Sequence, residues 1–185
     1  MRIGLILLTI LMLGACKSPE ARYPVSKSSG SYIRESVERN RELVAAEEEY
    51  IKNLMEEDSA TEYLASNEGF WYYYNKKSTD SSNTAMPEFG DLVKFDYSLS
   101  TLDGEPIYAE GEKPTREYAI DQEKLFSGLR QGLKLMKEGE TVTFLFPSHK
   151  AYGYYGDKNK IGTNVPLKAK VTLHDINKNE SKNED

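Results

Sequence analysis

The chain has 185 residues, with 24 Lys and Arg set against 30 Asp and Glu, and a single Cys. That length holds one domain of roughly 100–150 residues plus appendages. A net charge of −6 with no basic stripe on any segment argues against a nucleic-acid partner.

The chain opens with Met1-Arg2, an apolar run from Ile3 to Leu13, and the small residues Gly14 and Ala15 before Cys16. The run suits a secretory leader and falls short of the ~20 residues that span a bilayer. Cys16 resembles the acylated residue of a bacterial lipobox, which implies cleavage before it and a lipid anchor on it. An ordinary cleaved leader with a coincidental Cys is the plainer alternative. Acyl chains contribute about 0.8 kcal/mol per buried CH₂, so a multiply acylated Cys16 would hold the chain on a membrane. It would also leave no thiol for a disulfide, a zinc site or a nucleophile.

Residues 1–15 thus read as a leader and 16–31 as a polar, Pro- and Ser-containing tether. Over 32–66, Ile33, Val37, Val44, Ile51 and Met55 recur at helical spacing among Glu and Arg, which predicts an amphipathic helix. Its acidic runs, Glu47-Glu48-Glu49 and Glu56-Glu57-Asp58, are expected to face water. Apolar spacing alone leaves two receivers for the stripe, a second copy of the chain or the helix's own domain.

Gly69 closes that region, and Phe70 to Lys77 reads as an aromatic strand. A polar connection containing Ser81-Ser82-Asn83 leads to a strand at 91–99, and Asp103-Gly104 signals a hairpin to Pro106-Ile107-Tyr108. After a charged loop at 110–115, residues 116–120 form a short strand. Asp121 is placed to cap a helix marked by Leu125, Phe126, Leu129, Leu133 and Met136. Gly139 stops that helix. From Thr141 to Phe146 the residues alternate as in a strand, and Pro147 ends the ladder because it has no N–H. A Lys-Ala-Tyr-Gly corner at 150–153 follows. Residues 167–173 alternate in a last strand with one wet face, and 178–185 is a frayed tail. These elements predict an α+β domain over 67–177, an antiparallel half-barrel wrapping one short helix.

No conventional catalytic set is present. His149 and His174 read as exposed, no metal-ligand cluster is spaced along the chain, and no Gly-rich loop opens a helix, so neither metal nor cofactor is expected.

The segments 90–97, 125–133 and 139–154 together resemble the FKBP-type peptidyl-prolyl isomerases. The resemblance implies their half-barrel fold and a proline pocket formed by Tyr97, Ile107, Tyr108, Leu125, Phe126, Leu129 and Tyr152, with Ile161 and Val165 as candidates for the far wall. It implies that the Phe126 backbone N–H binds a carbonyl and that Tyr152 supplies a phenol. Several positions depart from the family. Tyr108 stands where an acid is usual, Leu129 where a large aromatic floor is usual, and Arg116 aligns with an aromatic. If the missing acid limits turnover, Tyr108→Asp should restore it.

The lipobox, the helix, Phe126-Ser127-Gly128-Leu129 and the Ala-Tyr-Gly-Tyr-Tyr-Gly loop are similar to the gliding-motility-associated FKBP-type lipoproteins of the Bacteroidetes. That similarity implies a periplasm-facing envelope lipoprotein acting on proline-containing clients of the gliding machinery. Related exported FKBP proteins dimerise by helical N-terminal extensions, so the FKBP resemblance gives a homodimer through the N-terminal helix as one of the two receivers of its stripe, the other being its own domain. A catalytically weak FKBP-fold chaperone or structural subunit is the alternative.

Overall fold

A computed structural model describes residues 30–79 and 84–179. The leader, Cys16, most of the tether, Ser81–Asn83 and the end of the tail lie outside those residues. The chain divides into two compact units, residues 1–37 and 38–185. One helix, α1 (Gly30–Glu57), begins in the first and continues into the second. In the first unit its apolar residues Tyr32, Ile33 and Val37 are exposed. No described helix is long and apolar enough to cross a membrane.

The second unit is an open antiparallel sheet of seven strands. They are β1 (Leu64–Ala65), β2 (Trp71–Lys76), β3 (Leu92–Ser100), β4 (Pro106–Tyr108), β5 (Arg116–Ala119), β6 (Thr141–Phe146) and β7 (Leu167–Asn177). Their order is β1-β2-β6-β7-β3-β4, with β5 paired to β3. A short helix α2 (Ser127–Leu133) lies across the inner face. α1 is shorter than the predicted 32–66 region, because the chain turns after Glu57 and Leu64–Ala65 pairs with β2 as a strand.

Alternation along each strand sends Val93, Phe95 and Leu99 of β3, Phe144 and Phe146 of β6, and Ala169, Val171 and Leu173 of β7 into one core with Leu129 and Leu133 of α2. Burying each large apolar side chain contributes about 1.5–3 kcal/mol, so this core dominates the stability of the fold. α2 can press onto β6 because Gly128 has no side chain. A Cβ there would lie 2.5 Å from the Phe146 ring and 2.8 Å from the Lys150 carbonyl.

Leu145 points the other way along β6 and is also buried, against Ile51 of α1 and Leu102. Leu54, Met55, Tyr63 and Trp71 flank this second cluster. The later part of α1 thus packs on its own domain.

Two expectations are corrected here. Glu47 does not face water: it is 7 % exposed, and its Oε2 accepts the backbone N–H of Ser148 at 2.7 Å. That N–H follows Pro147 at the end of the ladder, where no strand partner serves it, so a carboxylate from α1 does. Asp121 does not cap α2, which starts at Ser127 with Phe126 as a cap lacking any side-chain bond. Asp121 instead sits in a turn with φ of 61° and reaches Arg130 (3.3 Å) and Lys134 on the far side of α2.

Candidate functional site

The entrance to α2 and the corner after β6 meet at one end of the half-barrel. Phe126 is extended (φ −65°, ψ 147°), so its carbonyl already serves the helix by accepting from Arg130 N–H at 3.1 Å. Among the described residues none accepts a hydrogen bond from the Phe126 N–H. The Phe126 ring packs edge-on to Phe146 (5.5 Å between centroids) and tilted against Tyr152 (5.0 Å). Tyr152 is carried on the corner between two 3₁₀ turns, Ser148–Lys150 and Gly153–Tyr155. Gly156 makes the following reversal feasible: its φ is +60°, and a Cβ would fall 2.2 Å from the Ile161 carbonyl.

The Tyr152 hydroxyl has no hydrogen-bond partner among the described residues. Burial, with further contributions from Tyr97, Asp157 and Tyr108, pushes its pKa up, so the phenol stays protonated and remains a donor. Tyr97 stands on the inner face of β3 beside Phe95, 5.7 Å between centroids. Leu125, Phe126 and Tyr152 line an open cavity of about 380 Å³ together with Ala151, Arg116 and Lys124.

The remaining predicted residues are placed less uniformly. Ile107 and Val165 are half-buried against the main core, while Ile161 is 4 % exposed. Leu129 is fully covered, so it supports the cleft from beneath rather than lining it. Tyr108 is also buried, and its hydroxyl donates to Asp157 and accepts from Asn159 Nδ2 at 3.1 Å.

Asp157 is the acid that sequence reasoning missed. Its Oδ1 accepts the backbone N–H groups of Asn159 (2.9 Å) and Ile161 (2.8 Å), which fixes the 157–161 loop, while its other oxygen holds Tyr108. Burial raises its pKa, but the bonds from Tyr108, Ile161 and Asn159 and the nearby Lys113 outweigh that and keep it below the usual carboxylate range. The Lys113 ammonium lies 3.8 Å from the Tyr108 ring centroid and 5.8 Å from that of Tyr97. The position that lacks an acid in the sequence thus receives one from another loop.

Among the described residues no cluster of His, Cys, Asp and Glu could hold a metal ion. The site offers an apolar, aromatic-walled cleft over which the Tyr152 phenol and the Phe126 N–H stand as unengaged donors.

The fold is thus a half-barrel closed on a short helix, with an apolar cleft at the helix entrance. A match to the family described as FKBP-type peptidyl-prolyl cis-trans isomerase spans residues 83–174, and the chain belongs to that family, an enzyme class. It is 25 % identical over 138 residues to a probable FKBP-type peptidyl-prolyl cis-trans isomerase FkpA of Neisseria meningitidis serogroup B, covering 75 % of this chain and 49 % of that protein. It is 30 % identical over 81 residues to mouse peptidyl-prolyl cis-trans isomerase FKBP10, covering 43 % of this chain and 14 % of that one. The chain therefore spans about half or less of these relatives' lengths. Among solved structures, the fold is similar to a peptidyl-prolyl cis-trans isomerase of Pseudomonas syringae (TM-score 0.58, 19 % identity, 75 % of this chain and 96 % of that one). It is likewise similar to FkpA of Escherichia coli (TM-score 0.57, 19 % identity, 96 % of this chain and 82 % of that one).

Proposed function

We propose that this chain is a prolyl isomerase of exported proteins. Rotation about an X–Pro bond crosses a barrier of about 18–20 kcal/mol, because twisting the amide breaks its resonance. The twisted amide carries less charge separation than the planar one, so an apolar site that fits it better than the planar form lowers the barrier by differential binding. Tyr97, Leu125, Phe126 and Tyr152 supply that surface, with Ile107, Tyr108, Ile161 and Val165 beside them and Leu129 below. The Tyr152 hydroxyl and the Phe126 N–H orient the substrate carbonyls. The observation that carries this reading is that both donors stand over apolar surface without a partner among the described residues.

The wider role follows from the leader and helix motifs. Residues 1–15 are removed, Cys16 is acylated, 16–31 tethers, and the domain at 67–177 works on proline-containing clients of the cell envelope, facing the periplasm. The similarity to gliding-associated lipoproteins supports the gliding machinery as the client. The exposed Tyr32, Ile33 and Val37 support a homodimer through the start of the helix.

The covered Leu129 favours a second reading, a weak isomerase that acts as a chaperone or structural subunit, because the cleft floor exposes no aromatic ring. The test is proline isomerisation in a short peptide at low temperature with the full-length chain and its Tyr152→Phe variant. Acceleration that falls about tenfold in the variant, the upper range for one well-placed hydrogen bond, supports the isomerase. Binding without acceleration moves the assignment to the chaperone.

A further inference from the structure

The side of the cleft formed by Arg116 and Lys124 carries a charge that the apolar floor does not explain. Arg116 begins β5, and one guanidinium nitrogen donates to the Lys124 carbonyl at 2.8 Å, which holds the two residues together at the mouth of the 380 Å³ cavity. The guanidinium carbon lies 5.7 Å from the Tyr118 ring centroid, so the group is braced on an aromatic face. Among the described residues neither Arg116 nor Lys124 forms an ion pair. Their neighbours on the chain are already engaged: Glu117 pairs with Lys94 at 3.1 Å, and Glu123 accepts the Ala119 N–H at 3.4 Å. Two uncompensated cations therefore border the same cavity as Phe126 and Tyr152, on a chain whose net charge is −6.

We infer that this cavity is a subsite for a carboxylate side chain next to the client proline, so that the site prefers acidic X–Pro segments. The inference rests on the proline cleft proposed above and names its substrate class. A planar guanidinium with donors to spare matches a carboxylate bidentately. The nearby phenol of Tyr152 is neutral and does not compete for the cations.

The test uses the full-length chain and three peptides that differ only in the residue before proline: Glu, Ala or Lys. For each protein the catalysed rates are read as Glu/Ala and Lys/Ala ratios, which do not depend on the folded fraction. Two opposite charges about 4 Å apart in water-like surroundings are worth roughly fivefold in affinity, so Arg116→Met/Lys124→Met should lower the Glu/Ala ratio by about that factor and raise the Lys/Ala ratio. Arg116→Lys keeps the charge but loses the bidentate fork, so its Glu/Ala ratio should fall between those of parent and double variant, and 0.5 M salt should weaken the preference in the parent. Ratios that are equal in parent and double variant overturn the subsite. Should the parent accelerate none of the peptides, the isomerase reading fails by itself. The same ratios are then taken from dissociation constants measured by titration, where a Glu preference lost in the variant upholds the subsite and equal constants overturn it.

Discussion

Replacing Tyr108 by Phe removes one hydroxyl and leaves a carboxylate oxygen of Asp157 without its donor. A hydrogen bond to a charged group is worth about 1.5–3 kcal/mol. The loss here should lie near the lower end, because Asp157 keeps the N–H groups of Asn159 and Ile161 on its other oxygen and is only half-buried, so water can replace the phenol. We expect about 1–2 kcal/mol at neutral pH, which for a chain of this size is a fall in Tm of roughly 3–6 °C. The pH dependence carries the sharper test. The folded-state pKa of Asp157 lies below its unfolded value, so its contribution is fully present above the unfolded pKa and disappears as pH falls through the folded one. The parent and Tyr108→Phe should therefore differ clearly at pH 7 and less at a pH below the ordinary carboxylate range, the difference shrinking as pH falls through the folded pKa of Asp157. Denaturant titrations of the full-length chain at the two pH values measure this. An equal difference at both would refute the charged bond and leave only a packing effect. Tyr108→Asp, the exchange that returns an acid to this position, sets a second carboxylate against Asp157 and empties a buried ring site. It should cost about 3 kcal/mol or more and lower turnover rather than raise it.

Tyr152→Phe should leave stability within about 0.5 kcal/mol of the parent, because no described residue depends on its hydroxyl; a larger loss by thermal unfolding would mean that the phenol is structural. Gly128→Ala raises helix propensity yet drives a methyl into Phe146 and the Lys150 carbonyl, so a net destabilisation of about 1–3 kcal/mol is expected by denaturant titration. Glu47→Ala strands the buried Ser148 N–H and should cost about 1–3 kcal/mol, whereas Glu47→Gln retains an acceptor and should recover much of it; equal losses for the two would count against the bond.

Local patterns made much of the sheet legible. Alternation in Thr141–Phe146, the Asp103-Gly104 turn and the Pro147 stop each act within a few residues, and β4, β6 and the turn between β3 and β4 lie where they indicate. The segments that joined late in the chain were harder. Alternation in β6 says nothing of what meets the face that carries Leu145, which Ile51 of α1 covers from about half the chain away. Glu47 sits in an acidic run that reads as solvated, and only the stranded N–H of Ser148 explains its burial. Asp157 is an ordinary loop acid by sequence, because its partner Tyr108 comes from β4 on the other side of the site. Among the candidate site residues, Phe126 and Tyr152 came from the family resemblance, and the structure brings their rings together at the entrance to α2. The burial of Leu129 depends on how closely α2 settles onto β6, which no single segment encodes.

The path of strands through the sheet ends at β1 and β4, which have only two and three residues. A long bare edge would offer a row of free N–H and C=O groups to any unfolded chain, and pairing there takes little account of side chains. A protein that met extended clients, as proposed above, would be exposed to that risk at every encounter. The other bare stretches among the described residues are also brief, the four residues of β5 and residues 73–76 of β2 beyond the reach of β1, so a passing chain finds only short lengths of backbone to join. The same trimming limits how far copies of the molecule could add to one another edge to edge.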